Sequence, residues 1–167
     1  MKTLTLNLAT DVEEVVLKYV EEKADYLINE SYEEGYADYL KCESAIEKLL
    51  LLALKDFFKN ANYFNGRYEY VVTPQAEINY KNKKYRADIL LNACDFVQEK
   101  HVKFAIECDG HEFHEKTKEQ VRRDRSRERD LMKLGYTVIR FSGSEIVESP
   151  DECALEVWEV VKVRLGL

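Results

Sequence analysis

Phe104-Ala105-Ile106-Glu107-Cys108-Asp109-Gly110-His111-Glu112-Phe113-His114 is the stretch on which the fold turns. Its first half reads as a buried strand. With a period of two, Phe104, Ile106 and Cys108 share one side, and Ala105, Glu107 and Asp109 share the other. The strand therefore ends with two carboxylates on one face. Gly110 permits a sharp turn, and His111 and His114 follow at once. Carboxylates at a strand end beside imidazoles suit metal binding and proton transfer.

The partner lies upstream, in Tyr85-Arg86-Ala87-Asp88-Ile89-Leu90-Leu91. Asp88 interrupts an apolar, strand-like run, where a lone carboxylate is costly unless a metal or hydrogen-bond donors compensate it. If the two strands pair, Asp88, Glu107 and Asp109 are expected to converge on one hard cation such as Mg²⁺, with Mn²⁺ as a substitute.

Around this centre the chain reads as alternating helices and strands. Thr10 to about Glu30 is expected to be a helix, opened by a capping box of Thr10 and Glu13, with Val12, Val15, Val16, Tyr19, Val20 and Leu27 on its apolar stripe. Ser31 to Glu43, acidic and broken by Gly35, is expected to be a loop or a broken helix. A second capping box, Ser44 with Glu47, opens a helix to about Asn60 whose apolar residues nearly encircle it, the mark of a buried helix. Asn62 to Gly66 reads as a turn. Tyr68–Thr73 and Gln75–Tyr80 read as strand segments divided by Pro74. The short turns Lys81-Asn82-Lys83 and Asp95–His101 then favour antiparallel pairing.

Glu115 to about Leu134 reads as a long charged helix stopped by Gly135. Thr137–Phe141 is a strand, broken by Ser142-Gly143-Ser144. Ser149 with Glu152, and Pro150 at the first helical position, start a closing helix that buries Ala154, Trp158, Val161 and Leu165. This order predicts an α/β sandwich around a mixed sheet.

The chain has 167 residues, enough for one domain with a proper core. No apolar run reaches membrane-spanning length. The first residues lack a signal-peptide core, so a cytoplasmic location is expected. Cys42, Cys94, Cys108 and Cys153 form no C-x-x-C pair and are expected to be reduced. The net charge of −7 argues against a general nucleic-acid coating protein. Its distribution is uneven: residues 1–60 hold 13 acidic and 7 basic side chains, and residues 111–130 hold 6 and 7.

In order and spacing, several pieces resemble the PD-(D/E)XK nuclease superfamily, and within it the very-short-patch-repair-type endonucleases and related restriction-endonuclease-like domains. They are Ser44-Ala45-Ile46-Glu47, Arg86-Ala87-Asp88, Ile106-Glu107-Cys108-Asp109-Gly110, Phe113-His114, Arg123-Asp124-Arg125-Ser126-Arg127, Leu134-Gly135-Tyr136 and Arg140-Phe141-Ser142-Gly143-Ser144-Glu145. The matching segments run from Ser44 to about Ile146 and do not cover residues 1–43 or the closing helix. The resemblance implies a restriction-endonuclease-like α/β fold, with the domain expected over 44–167 and residues 1–43 as an N-terminal helical extension packed on it. It implies a Mg²⁺-dependent endonuclease acting on DNA, with RNA left open as substrate. The superfamily pattern places Lys two residues after the Glu, where this chain has Asp109. His111 and His114 therefore become candidates for proton transfer.

Each residue has a plainer reading beside the functional one. Asp88 and Glu107 are metal ligands, or a structural ion pair with Arg86 or Arg127. Asp109 is a ligand or orients a histidine. The resemblance places Glu47 at the metal site, while its place in a capping box assigns it to the helix start. His114 is a proton shuttle or an exposed imidazole. A zinc site of Cys108, His111 and His114 lacks a fourth ligand at usual spacing.

On the long helix, Gln120, Asp124, Arg127, Leu131 and Leu134 share a face that grades from polar to apolar, as if running from the site into the core. Gln120 is expected to support the site. Lys118, Arg122, Arg125 and Arg129 share another face, which contacts DNA phosphates or is a solvated face paired with Glu115, Glu119 and Glu128. Two further functions stand beside the nuclease: a catalytically silent nucleic-acid-binding domain, and a protein-interaction module using the acidic, tyrosine-rich front half.

Overall fold

The structure, a computed structural model, describes residues 12–21, 32–63, 66–110 and 117–167. Residues 12–21 form helix α1. Thr10 and the remainder of the expected first helix lie outside the described residues. Val16 is buried in the main core, with Val12, Tyr19 and Val20 packed against it, and the Tyr19 hydroxyl donates to Asp151 Oδ1 at 2.8 Å. Four residues of the expected apolar stripe thus pack on the core, while Val15 is exposed and Leu27 lies outside the described residues.

Helix α2, Tyr32–Lys41, continues through Gly35, where a loop or broken helix was expected. Glycine weakens a helix by about 1 kcal/mol, and tertiary contacts can outweigh that. Here Asp38 pairs with Lys41 at 2.7 Å and with Lys55 of the next helix.

That next helix, α3, spans Ala45–Tyr63, so 62–63 are helical rather than part of a turn. Every residue from Leu49 to Leu54 is buried, as its nearly continuous apolar surface predicts. Truncating one of these leucines to alanine would cost about 2–5 kcal/mol.

Strands β1 (Tyr68–Tyr80), β2 (Lys83–Asp95) and β3 (Lys100–Asp109) form an antiparallel meander. β1 is continuous across Pro74, which was expected to divide it. It is an edge strand in the order β1-β2-β3-β4, and an edge tolerates a residue that has no N–H to donate. The irregularity falls instead on Gln75, whose φ is +51°.

Helix α4, Lys118–Lys133, begins three residues later than expected, because Thr117 caps it in a box with Gln120. It crosses the sheet to β4, Tyr136–Ser142, which runs parallel to β3 and makes the sheet mixed. The expected break at Ser142-Gly143-Ser144 is the start of a short helix, α5 (Gly143–Glu148), with Ser142 and Glu145 as its capping box. Helix α6, Pro150–Leu165, starts at Ser149 and Pro150 as predicted and ends at Gly166, φ +83°.

Two cores sandwich the sheet. The larger lies between it and α3 and α6, with Ile89, Leu91, Phe104, Ile106 and Phe141 facing Leu50, Leu54 and Val161. The smaller joins Ile78, Ala87 and Ala105 to Leu131 of α4. This is the restriction-endonuclease-like α/β architecture that the resemblance implies.

Candidate functional site

β2 and β3 part company at one point. Their pairing runs from Asp95 opposite Lys100 to Ile89 opposite Ile106 and then stops. The next residue on each strand is Asp88 on β2 and Glu107 on β3, so the two carboxylates stand at the fork. β3 continues beside β4, with Glu107 opposite Arg140 and Asp109 opposite Ser142. Among the described residues, β2 pairs past the fork only with β1. The β1–β2 register, with Pro74 opposite Ile89 and Ala76 opposite Ala87, brings Gln75 level with Asp88.

Arg127 of α4 closes the gap between the separated strands. Its guanidinium donates to both oxygens of Glu107, at 2.7 and 2.9 Å, and to the Arg86 carbonyl at 2.6 Å. Glu107 is only 7 % exposed, and this bidentate pair offsets the cost of burying it.

Asp88 is less well served. Its Oδ2 accepts the Cys108 N–H at 2.8 Å. Burial is the largest influence on it and raises its pKa; the Cys108 N–H pulls the other way. Glu107 and Glu47 add to the rise and Arg127 opposes it, leaving Asp88 at about 6 against an ordinary 3.8. Three carboxylates thus sense one another here, and Asp88 absorbs the strain.

Glu47 serves the helix start and the site together. Ser44 Oγ accepts the Glu47 N–H at 3.3 Å and donates to Oε1 at 2.8 Å. Oε2 accepts the Glu43 N–H at 2.9 Å and Gln75 Nε2 at 2.6 Å. The plain reading of Glu47 as a cap is therefore correct, and its charge still reaches Asp88.

Asp109 pairs with Arg140, Nη1 to Oδ1, at 3.5 Å. The expected convergence of Asp88, Glu107 and Asp109 does not appear. Glu107 is held by Arg127 and Asp109 faces Arg140, and among the described residues no three His, Cys, Asp or Glu side chains group to hold a metal ion. The donor chemistry still fits a hard cation. Asp88, Glu107 and Glu47 all offer oxygen, and Gln75 Oε1 is a buried acceptor with no hydrogen-bond partner among the described residues. The arrangement is acceptor-rich, with Arg127 supplying positive charge at Glu107.

His111 and His114 lie outside the described residues. Cys108 packs on the main core, and burial first, then Asp88, Glu47 and Glu107, push its thiol far up, which opposes a zinc thiolate. Gln120 is exposed and its Oε1 accepts the Thr117 N–H at 2.7 Å, so its amide closes the start of α4. The graded stripe of α4 holds: Asp124 and Arg127 are half-buried and Leu131 is fully buried. Lys118, Arg122, Arg125 and Arg129 are all exposed.

One residue escaped the sequence reading: Gln75 reads only as part of a strand, and the signal was its place directly after a proline. Arg140 carries part of the resemblance, but its pairing with Asp109 was not expected, although a charge inside Thr137–Phe141 asks for a partner as Asp88 does.

Residues 67–161 match the family REase_MTES_1575, a restriction-endonuclease-like family, and the chain belongs to it. No curated protein and no solved structure matches the chain. The matched segment contains Gln75, Asp88, Glu107, Arg127 and Arg140, and it begins after α3. No helix among the described residues is long and apolar enough to cross a membrane.

Proposed function

We propose that the chain is a metal-dependent endonuclease that hydrolyses phosphodiester bonds in DNA, closest in kind to the very-short-patch-repair type. The observation that carries this reading is the fork itself, where Asp88 and Glu107 stand level on strands that have just separated, with family membership beside it. Asp88 and Glu107 would hold a divalent cation, Mg²⁺ or Mn²⁺, with Glu47 and the Gln75 amide oxygen behind them. When bound, that cation would polarise the scissile phosphate and lower the pKa of an attacking water.

The rest of the work falls to the chain. Asp88 must be ionised to act, and at about 6 its pKa leaves it mostly so at neutral pH. Arg127 must release Glu107, and its planar guanidinium is then suited to a phosphate oxygen. His114 is proposed to move a proton to the leaving oxygen, and Asp109 to orient it. Gln120 is proposed to steady the start of α4 through its cap. Lys118, Arg122, Arg125 and Arg129 are proposed to contact the phosphate backbone.

Supercoiled plasmid incubated with the protein in Mg²⁺, Mn²⁺ or chelator tests the reading. Nicking or linearisation only with metal is expected. A second reading, a silent nucleic-acid-binding domain, is favoured by the grip of Arg127 on Glu107 and by Asp109 in place of lysine. Binding without cleavage in either metal would establish it instead.

A further inference from the structure

Two arginines border Glu107, one from a helix and one from a strand. Arg127 reaches it from α4, and Arg140 stands opposite it in the β3–β4 register. Neighbouring strands lie about 4.8 Å apart, so Arg140 starts out beside Glu107. It also faces the same way. Ile139 and Phe141 belong to the larger core, while Tyr136 and Val138 pack on the smaller one with Ala105. Alternation therefore turns Arg140 to the α4 side of β4, as it turns Glu107 and Asp109 to the α4 side of β3.

Arg140 is lightly held there. Its Nη1 lies 3.5 Å from Asp109 Oδ1, beyond the roughly 2.7–2.9 Å of a charge-assisted hydrogen bond, and 30 % of its side chain is exposed. Arg127, in contrast, donates to both oxygens of Glu107 at 2.7 and 2.9 Å and to the Arg86 carbonyl at 2.6 Å. Asp109 lies two residues beyond Glu107, at the end of β3. The pair thus draws the Arg140 guanidinium along the strand to the open side of the fork, where β2 has already left the ladder.

Charge decides what this guanidinium can do. A phosphodiester entering the fork meets Glu47, Asp88, Glu107 and Asp109, and each repels it. Arg127 is engaged by Glu107 until it lets go. Arg140 exchanges its partner more readily, because a partly exposed pair at this distance contributes little. A guanidinium also has five N–H donors in a rigid plane, an array that matches two oxygens of one phosphate.

We propose that Arg140 is a phosphate-binding residue of the site, whose guanidinium exchanges Asp109 for non-bridging oxygens of the phosphodiester lying across Glu107. This rests on the nuclease reading for the ligand being a nucleic-acid phosphate, and it adds a contact from β4.

The test is binding of the whole protein to a labelled DNA duplex in chelator, by fluorescence anisotropy across a salt series. The proteins are wild type, Arg140→Gln, and the double variant Asp109→Asn with Arg140→Gln. The double variant decides, because it removes both charges together and leaves neither partner unpaired. Both variants are expected to show a slope of log affinity against log salt that is shallower than wild type by about 0.9, the share of one phosphate contact. If Arg140 only neutralises Asp109, the double variant regains the affinity and slope of wild type, and the proposal is overturned. Plasmid nicking in Mg²⁺ by the same wild-type sample separates this result from the nuclease reading. Nicking by wild type, with the wild-type slope kept in the double variant, would overturn the phosphate role and leave the nuclease reading standing. Binding without nicking, with the slope reduced in both variants, would keep Arg140 as a phosphate contact and overturn the nuclease reading. Wild type that neither binds nor nicks would overturn both.

Discussion

Asp88 and Asp95 lie on the same strand, the first half-buried and the second fully buried, and the protein treats them in opposite ways. Asp95 is 0 % exposed yet surrounded by donors: Arg67 reaches it at 2.6 and 3.0 Å, and the N–H groups of Val97 and Gln98 at 2.9 and 3.0 Å. Arg67 is the main reason that its pKa falls to about 2. Asp88 has one backbone donor and two neighbouring carboxylates, and rises to about 6. Burial alone therefore does not distinguish a structural carboxylate from a working one; the balance of donors does. At the Asp95 end the β2–β3 hairpin is closed and satisfied. At the Asp88 end the sheet opens, and Arg127 spends its hydrogen bonds on Glu107 and the Arg86 carbonyl.

The largest expected contrast is in activity. Asp88→Asn and Glu107→Gln keep shape and remove charge, and each should lower metal-dependent cleavage by orders of magnitude while duplex binding persists or tightens. Asp95→Asn should cleave normally at temperatures where it is folded. Cleavage rates and affinities measured side by side check this, and equal losses at both ends of β2 would break the distinction.

Next comes Arg127→Gln, which leaves Glu107 buried without its partner. It should cost about 3–5 kcal/mol in urea unfolding. If the guanidinium stands where a cation would act, Mg²⁺ should restore part of that loss and stabilise the variant more than wild type. No difference in the Mg²⁺ response would make the pair purely structural.

Smaller and opposite effects should appear in the pH dependence of stability. The folded pKa of Asp95 lies below its unfolded 3.8, so its contribution is complete above about pH 4 and is lost as pH falls towards 2. That of Asp88 lies above 3.8, so its contribution is complete below about pH 4 and is lost as pH climbs through 6. Unfolding titrations at several pH values should find Asp88→Asn more stable than wild type at neutral pH in chelator, the gain vanishing near pH 4. Asp95→Asn should instead flatten the acid limb. The same sign for both variants at neutral pH would contradict the contrast.

The smallest effect belongs to Gln75→Gly. Glycine relieves a left-handed backbone costing about 1 kcal/mol, while the bond to the charged Glu47 contributes about 1.5–3 kcal/mol. A net loss near 1 kcal/mol by thermal melting is expected, and a net gain would show that the Glu47 bond contributes little.

Much of this was legible in the sequence. Period-two alternation placed Glu107 and Asp109 on one face and Phe104 and Ile106 in the core, and both placements hold. Ser44, Ser149 and Pro150 fixed helix starts because capping is local chemistry. What failed was set by distant contacts. Gly35 is helical where Asp38 is tied to α3. Ser142 does end β4, but the short helix that it caps was not expected, because a cap and a break use the same residues. The Arg127–Glu107 pair was one of the two readings that the residues left open, whereas no local pattern says that Arg140 meets Asp109.

The fork also makes its own reporter. Beyond Ile89 and Ile106 the ladder is gone, and two main-chain groups there are satisfied by side chains: the Cys108 N–H by Asp88, and the Arg86 carbonyl by Arg127. The protection of a single amide against deuterium exchange is thereby coupled to where the Asp88 carboxylate is engaged. Were Asp88 drawn onto a cation, the Cys108 amide would lose its acceptor, and its exchange rate would register occupancy of the site without any substrate being turned over.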